Sequence, residues 1–118
     1  MEATKAMDTE TVVRNHLRLF LENRGVDAML EDYHDEARFH GEDRLFRGKE
    51  EIREFFTGFL GSLPAGALER FSLRSLRVDG DLAFITWCVG REIPLGTDTF
   101  VVRGGRIVSQ TFAMHVGG

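Results

Sequence analysis

The sequence predicts an α+β domain in which three helices come first and a curved antiparallel sheet follows. Three observations carry that expectation. The chain has 118 residues, room for one hydrophobic core and not for two. Apolar residues recur at helical spacing up to about residue 68 and in strand-like runs after it. Two pairs of those runs are joined by two-residue turns, Asp79-Gly80 and Gly104-Gly105, the kind that close β-hairpins. Helices packed on one face of consecutive antiparallel strands make an α+β domain. A long curved sheet wrapped in this way encloses a cone-shaped cavity.

The first helix is expected to start at Asp8 or Thr9, both good N-caps, and to end at Gly25. Val12, Val13, Leu17, Phe20 and Leu21 form its apolar stripe, with His16 in the middle. A short second helix is read over residues 27–33, presenting Met29, Leu30 and Tyr33. "ARFH" (37–40) reads as a short strand before a loop, "GEDRLFRG". The third helix begins after Gly48, where Glu50 and Glu51 suit a helix N-terminus. Ile52, Phe55, Phe56, Phe59, Leu60 and Leu63 give it a wide apolar face that stops at Pro64-Ala65-Gly66. Four strands follow over 71–78, 82–92, 96–103 and 106–116.

Composition narrows the functional classes. Net charge is −4 with no long Lys/Arg run, which removes the electrostatic basis of nucleic-acid binding. Arg70, Arg74 and Arg77 are read as a solvated strand exterior. Ten phenylalanines against one tyrosine and one tryptophan suit a dry core or cavity wall. The single Cys88 allows no internal disulfide and is expected as a small core residue. No stretch is long enough for a membrane span, and "MEATKAMDTE" lacks the apolar core of a signal peptide. A cytoplasmic protein of one domain over 1–118, with a flexible tail at 1–8, is the expectation. His16, His34, His40 and His115 have no ligand spacing, so no metal is expected. No phosphate or dinucleotide glycine pattern is present, so no cofactor is expected either.

Asp98 is the most informative polar residue. Facing inward, it shares a strand face with Phe100 and Val102. Poor solvation would then raise its pKa and suit it to proton exchange near neutrality. Facing outward, it would pair with Arg91 or another strand arginine. Spacing alone leaves both open. His16 is either a satisfied core histidine or a group that meets Asp98 across the cavity, oriented by it to act as base or donor. Tyr33 either donates a hydrogen bond from the end of the second helix or simply packs. Gln110, Phe112 and Met114 share one face of the last strand, so Gln110 could orient a ligand carbonyl against an apolar wall. If Phe39 points inward, His40 points outward. Phe56 and Phe59 supply the wall from the third helix. Trp87 lines the pocket or a contact on the outer face, since strand phase around Cys88 is not fixed.

"YHDEARFHG", "FRGKEEIREFF" and "DTFVVRGGRIVSQTF" resemble the nuclear-transport-factor-2-like superfamily, which includes SnoaL-like polyketide cyclases and ketosteroid isomerases. The resemblance runs from about residue 12 to 114 and implies a cone-shaped, cystatin-like fold. It favours the inward Asp98, which matches the acid that ketosteroid isomerases keep before the last hairpin. His16 falls near their first-helix tyrosine, and Gly41, between His40 and Glu42, where their aspartate base stands. The Arg-x-Asp of limonene-epoxide-hydrolase-like members has no match here, because Gly96 lies two residues before Asp98. SnoaL-like cyclases, which use one carboxylate on a late strand, fit more closely. The resemblance implies a small, mostly apolar carbonyl ligand handled by Asp98 and His16 without a cofactor, in cyclase or isomerase chemistry. The alternative is a non-catalytic binding domain using the same cavity. A homodimer through the sheet's outer face is also implied.

Overall fold

The computed structural model describes residues 8–117. The tail expected at 1–8 lies outside the described residues except for Asp8, whose side chain accepts from the Thr11 N–H at 2.8 Å and caps helix α1 (Thr9–Leu21). There follow α2 (Val26–Leu30), β1 (Tyr33–His40), β2 (Leu45–Arg47) and α3 (Gly48–Ser62). The chain continues through α4 (Ala67–Arg70), β3 (Phe71–Asp79), β4 (Leu82–Val89), β5 (Ile93–Arg103) and β6 (Arg106–His115).

The six strands form one curved, unclosed sheet in the order β2-β1-β6-β5-β4-β3. Register shifts interrupt four of the strand pairs: β1/β6, β3/β4, β4/β5 and β5/β6. Such bulges bend strands and add twist, which is how long strands come to wrap a cavity. The helices lie on the concave face, as an α+β cone requires.

Several local expectations need correction. The first helix stops at Leu21, short of Gly25, because Asn23 and Gly25 both take positive φ (56° and 97°) and break the helical run. The second helix ends at Leu30, and Tyr33 opens a strand instead. That strand pairs in parallel with β6, Tyr33 against Ile107, so the sheet is not purely antiparallel. Part of the expected 41–48 loop is β2, whose Phe46 pairs with Phe39. Arg70 belongs to α4 rather than a strand, and it bonds Ala65 O at 2.8 Å and Glu92 at 2.7 Å.

Burial alternates along β4, with Ala83, Ile85, Trp87 and Val89 buried and Phe84, Thr86 and Cys88 only half-buried. Trp87 therefore points into the cone. Cys88 lies on the outer face, against the expectation of a core residue. Phe39 is fully buried and His40 exposed, as strand alternation demands. On α3 the rings at 55, 56 and 59 pack against Phe39 and Phe112. One cluster of buried apolar residues joins this helix, α1 and the sheet.

Candidate functional site

A cavity lies between α1, α3 and the concave face of the sheet. Its walls are mostly aromatic: Phe20 from α1, Phe55, Phe56 and Phe59 from α3, and Phe39, Phe71, Trp87, Phe100 and Phe112 from the strands. Leu17 and Ile85 complete the apolar surface, and His16, Asp98 and Gln110 are its polar members. The volume open to the centres of water-sized spheres is about 50 Å³. A cavity of about 150 Å³ is the size that holds benzene, so a ring-sized ligand needs the aromatic walls to part.

Eight of the ten residues selected from sequence line this cavity: His16, Phe39, Phe56, Phe59, Asp98, Phe100, Gln110 and Phe112. Tyr33 and Met114 do not. Tyr33 is fully buried and bonds to Gln110 and His16 through its hydroxyl. Met114 pairs with Gly96. The Trp87 ring lies on Gly96 and stacks on Phe112, so the wall ends before Met114.

Asp98 points inward, settled by its 8% exposure and its partners. Trp87 Nε1 donates to Oδ1 and Gln110 Nε2 to Oδ2, each at 2.8 Å. The alternative pairing with Arg91 does not occur. Burial pushes the carboxyl from its ordinary 3.8 up to about 7, outweighing the two donors, which favour the charged form. A carboxyl so poised holds and releases a proton near neutral pH.

Gly96 makes this geometry possible. It pairs across the sheet with Trp87, and a Cβ there would stand 2.2 Å from the indole. Without that side chain the indole lies flat on β5 and reaches Asp98.

His16 does not meet Asp98 directly. It is 4% exposed, its Nδ1 lies 3.0 Å from Asp32 Oδ2 and its Nε2 lies 3.3 Å from the Tyr33 hydroxyl. Its ring stands edge-on to Phe56 and Phe100. The Tyr33 hydroxyl in turn donates to Gln110 Oε1, so His16 reaches Asp98 only through Tyr33 and Gln110. Burial and the nearby Asp98 and Asp32 charges push the Tyr33 hydroxyl well above 10, so it serves as a neutral donor. Asp32 went unrecognised in the sequence. It is one of four acids between residues 31 and 36, and only the tertiary fold selects it. Its carbonyl accepts from Ile107 N at 2.8 Å, fixing it beside β6.

Among the described residues no group of three or more His, Cys, Asp or Glu side chains could hold a metal ion. No helix among them is long and apolar enough to cross a membrane.

A curved sheet wrapped by N-terminal helices around an acid-bearing apolar cavity defines a nuclear-transport-factor-2-like cone. The chain belongs to the SnoaL-like domain family, whose model matches residues 13–110. An NTF2-like protein of unknown function from Burkholderia xenovorans superposes with a TM-score of 0.75 at 18% identity, over 93% of this chain and 84% of that one. A Sinorhizobium meliloti protein assigned as a polyketide cyclase gives 0.71 at 18% identity, over 87% and 94%. An epoxide hydrolase/cyclase-like enzyme with a role in pyran ring formation in the polyether salinomycin gives 0.69 at 15% identity, over 91% and 90%. At these identities the likeness is one of fold. No curated protein matches the sequence.

Proposed function

We propose that the protein binds a small, mostly apolar carbonyl compound in the aromatic cavity, and that Asp98 moves a proton to or from it without a cofactor, as a cyclase or isomerase. The observation that carries this reading is one buried carboxyl, pushed up to about 7, among walls that are mostly aromatic. Ionised Asp98 takes a proton from the carbon beside the carbonyl, leaving an enolate. The neutral Asp98 so formed returns that proton to the enolate's oxygen or to another carbon of the substrate. A group titrating near neutrality does both within one cycle. Trp87 and Gln110 each engage one oxygen, but a carboxylate offers about four lone-pair directions. Both oxygens therefore keep a side free for the ligand while their aim is fixed. Two neighbours of the same fold, one assigned as a polyketide cyclase and one epoxide hydrolase/cyclase-like, support carbonyl-rich or ring-forming chemistry. In the same reading the protein is cytoplasmic, and two copies pair through the outer face of the sheet.

A non-catalytic binding domain is the second reading. The tight cavity of about 50 Å³ favours it, because a narrow aromatic pocket suits retention of one ligand better than turnover. The deciding experiment follows exchange of α-hydrogens for deuterium in a panel of small cyclic ketones and 1,3-dicarbonyls by NMR. Asp98→Asn can keep both hydrogen bonds, its oxygen accepting from Trp87 and its amide donating to the carbonyl of Gln110 once the Gln110 amide reverses. The enzyme reading expects exchange with the wild type, and binding without exchange in the variant. Binding without exchange in the wild type supports the second reading, and undiminished exchange in Asp98→Asn overturns the role of Asp98.

A further inference from the structure

Asp98 and His16 stand at two ends of one buried run of polar groups, and the donors and acceptors along it restrict which protons it can hold. The Tyr33 hydroxyl donates to the Gln110 carbonyl, and a hydroxyl has one proton to give. Its contact with His16 Nε2 at 3.3 Å is then a bond only if Nε2 carries hydrogen. Nδ1 faces the Asp32 carboxylate at 3.0 Å and needs hydrogen too. In this arrangement the imidazole carries both protons, and Asp98 is the carboxylate that Trp87 and Gln110 address.

With Asp32 ionised, one other arrangement satisfies every member. Protonated Asp98 donates to the Gln110 carbonyl, the reversed amide gives its NH2 to the Tyr33 oxygen, and the Tyr33 hydroxyl donates to Nε2. The ring then keeps only Nδ1–H, which it gives to Asp32. Both arrangements place two protons on Asp98 and His16 together, with equal net charge. With one proton fewer, two acceptors face each other at one of the contacts along the run. With one more, two donors collide or the added hydrogen is left without an acceptor. Buried polar groups left unpaired in this way are costly.

We propose that Asp98 and His16 share a proton through Gln110 and Tyr33. When one proton leaves Asp98, one arrives at Nε2 of His16, and the amide of Gln110 reverses between them. His16 and Asp32 are thus positioning residues that set the state of Asp98 from a distance. The groups facing the run are few: Asn15, whose side chain lies 3.4 Å from Asp32 Oδ1, Trp87 from β4, and the apolar rings of Phe56 and Phe100 beside His16. Tyr33 is the one further titratable group, and neither Asp32 nor Asp98 pairs with a lysine or arginine among the described residues. The inference concerns the protein without ligand, so it stands or falls separately from the proposed activity.

The test is a pH titration of the whole chain, labelled with carbon-13 and nitrogen-15, that follows the Asp98 carboxyl carbon, both His16 ring nitrogens and the Gln110 amide. Strongly interacting sites titrate in steps that belong to the pair. Every inflection of the Asp98 carbon is therefore expected in the His16 nitrogens at the same pH. Tyr33→Phe removes the bridging hydroxyl, and His16 should then no longer report the Asp98 step. In His16→Gln the Asp98 inflection should move upward, because the imidazolium that favours the carboxylate is gone. Flat His16 nitrogens through the wild-type Asp98 step overturn the proposal without any variant. So does a folded Tyr33→Phe protein that keeps the shared inflection. Deuterium exchange abolished by Asp98→Asn, without a shared inflection in the wild type, would sustain the proposed activity and sink this inference alone.

Discussion

Replacing Asp98 by asparagine removes its charge while keeping its shape and hydrogen bonds, so comparing the two proteins across pH isolates what ionising this one group costs the fold. The folded carboxyl titrates at about 7 against an ordinary 3.8, so between those values the native state holds a proton that the unfolded chain has lost. Stability falls with rising pH wherever the native state binds more protons. The contribution of Asp98 is therefore complete below pH 3.8 and is lost as pH rises through about 7. Each tenfold difference in proton affinity is about 1.4 kcal/mol, which makes the whole loss about 4 kcal/mol. Against a typical domain stability of about 5–15 kcal/mol, that is a large share.

The assay is urea unfolding at pH values from 4 to 8.5, followed by circular dichroism and by the fluorescence of Trp87, the chain's one tryptophan. Titrating groups outside the run from Asp98 to His16 are common to both proteins and cancel in the difference, so the curve reads Asp98 together with any proton it passes to His16. Asp98→Asn should gain on the wild type by about 4 kcal/mol between pH 4 and pH 8 and then level off. Parallel curves would mean that Asp98 ionises freely in the folded protein. The dry site, and the acid–base reading built on it, would then be wrong.

Gly96→Ala should drive the indole off β5, since its Cβ would stand 2.2 Å from the ring. The expected loss is about 2–4 kcal/mol, with a shift in Trp87 emission as the accompanying sign. Trp87→Phe removes one of the two donors that favour the ionised form, so the Asp98 inflection should move above its wild-type position in a carbon-13 titration. Phe59→Ala thins the α3 wall of the cavity. It should cost about 2 kcal/mol, because the ring is only half-buried, while isothermal calorimetry should show gained affinity for bulkier ketones. Light scattering should give twice the chain mass, and Val101→Asp on the outer face of β5 should halve it; a wild-type monomer would refute the dimer.

The parts of this fold that could be read from the sequence are those specified locally. The 3.6-residue spacing of Ile52, Phe55, Phe56, Phe59 and Leu60 marks α3 on its own. Two hairpins are set locally, one at Gly104-Gly105 as expected and one at Gly80-Asp81, a residue on from the expected Asp79-Gly80 because Asp79 still pairs with Leu82. Tyr33 was misplaced in a helix because a distant partner decides its state: Ile107 accepts it into a parallel ladder, and no short-range pattern carries that. The phase of β4 was hidden because Leu82, Phe84 and Cys88, apolar residues on its outer face, interrupt the polar–apolar alternation that would have shown it. The same division runs through the site. Asp98, His16 and Gln110 stood out as polar residues within apolar runs, but the group joining His16 to the others was Tyr33, and its orienting acid was one of four. Gly96 is the sharpest case. In sequence it marks the place where an arginine is missing, whereas in the fold it pairs with Trp87, and its lack of a side chain lets the indole reach Asp98. A glycine that acts by being small gives no signal until its cross-strand neighbour is known.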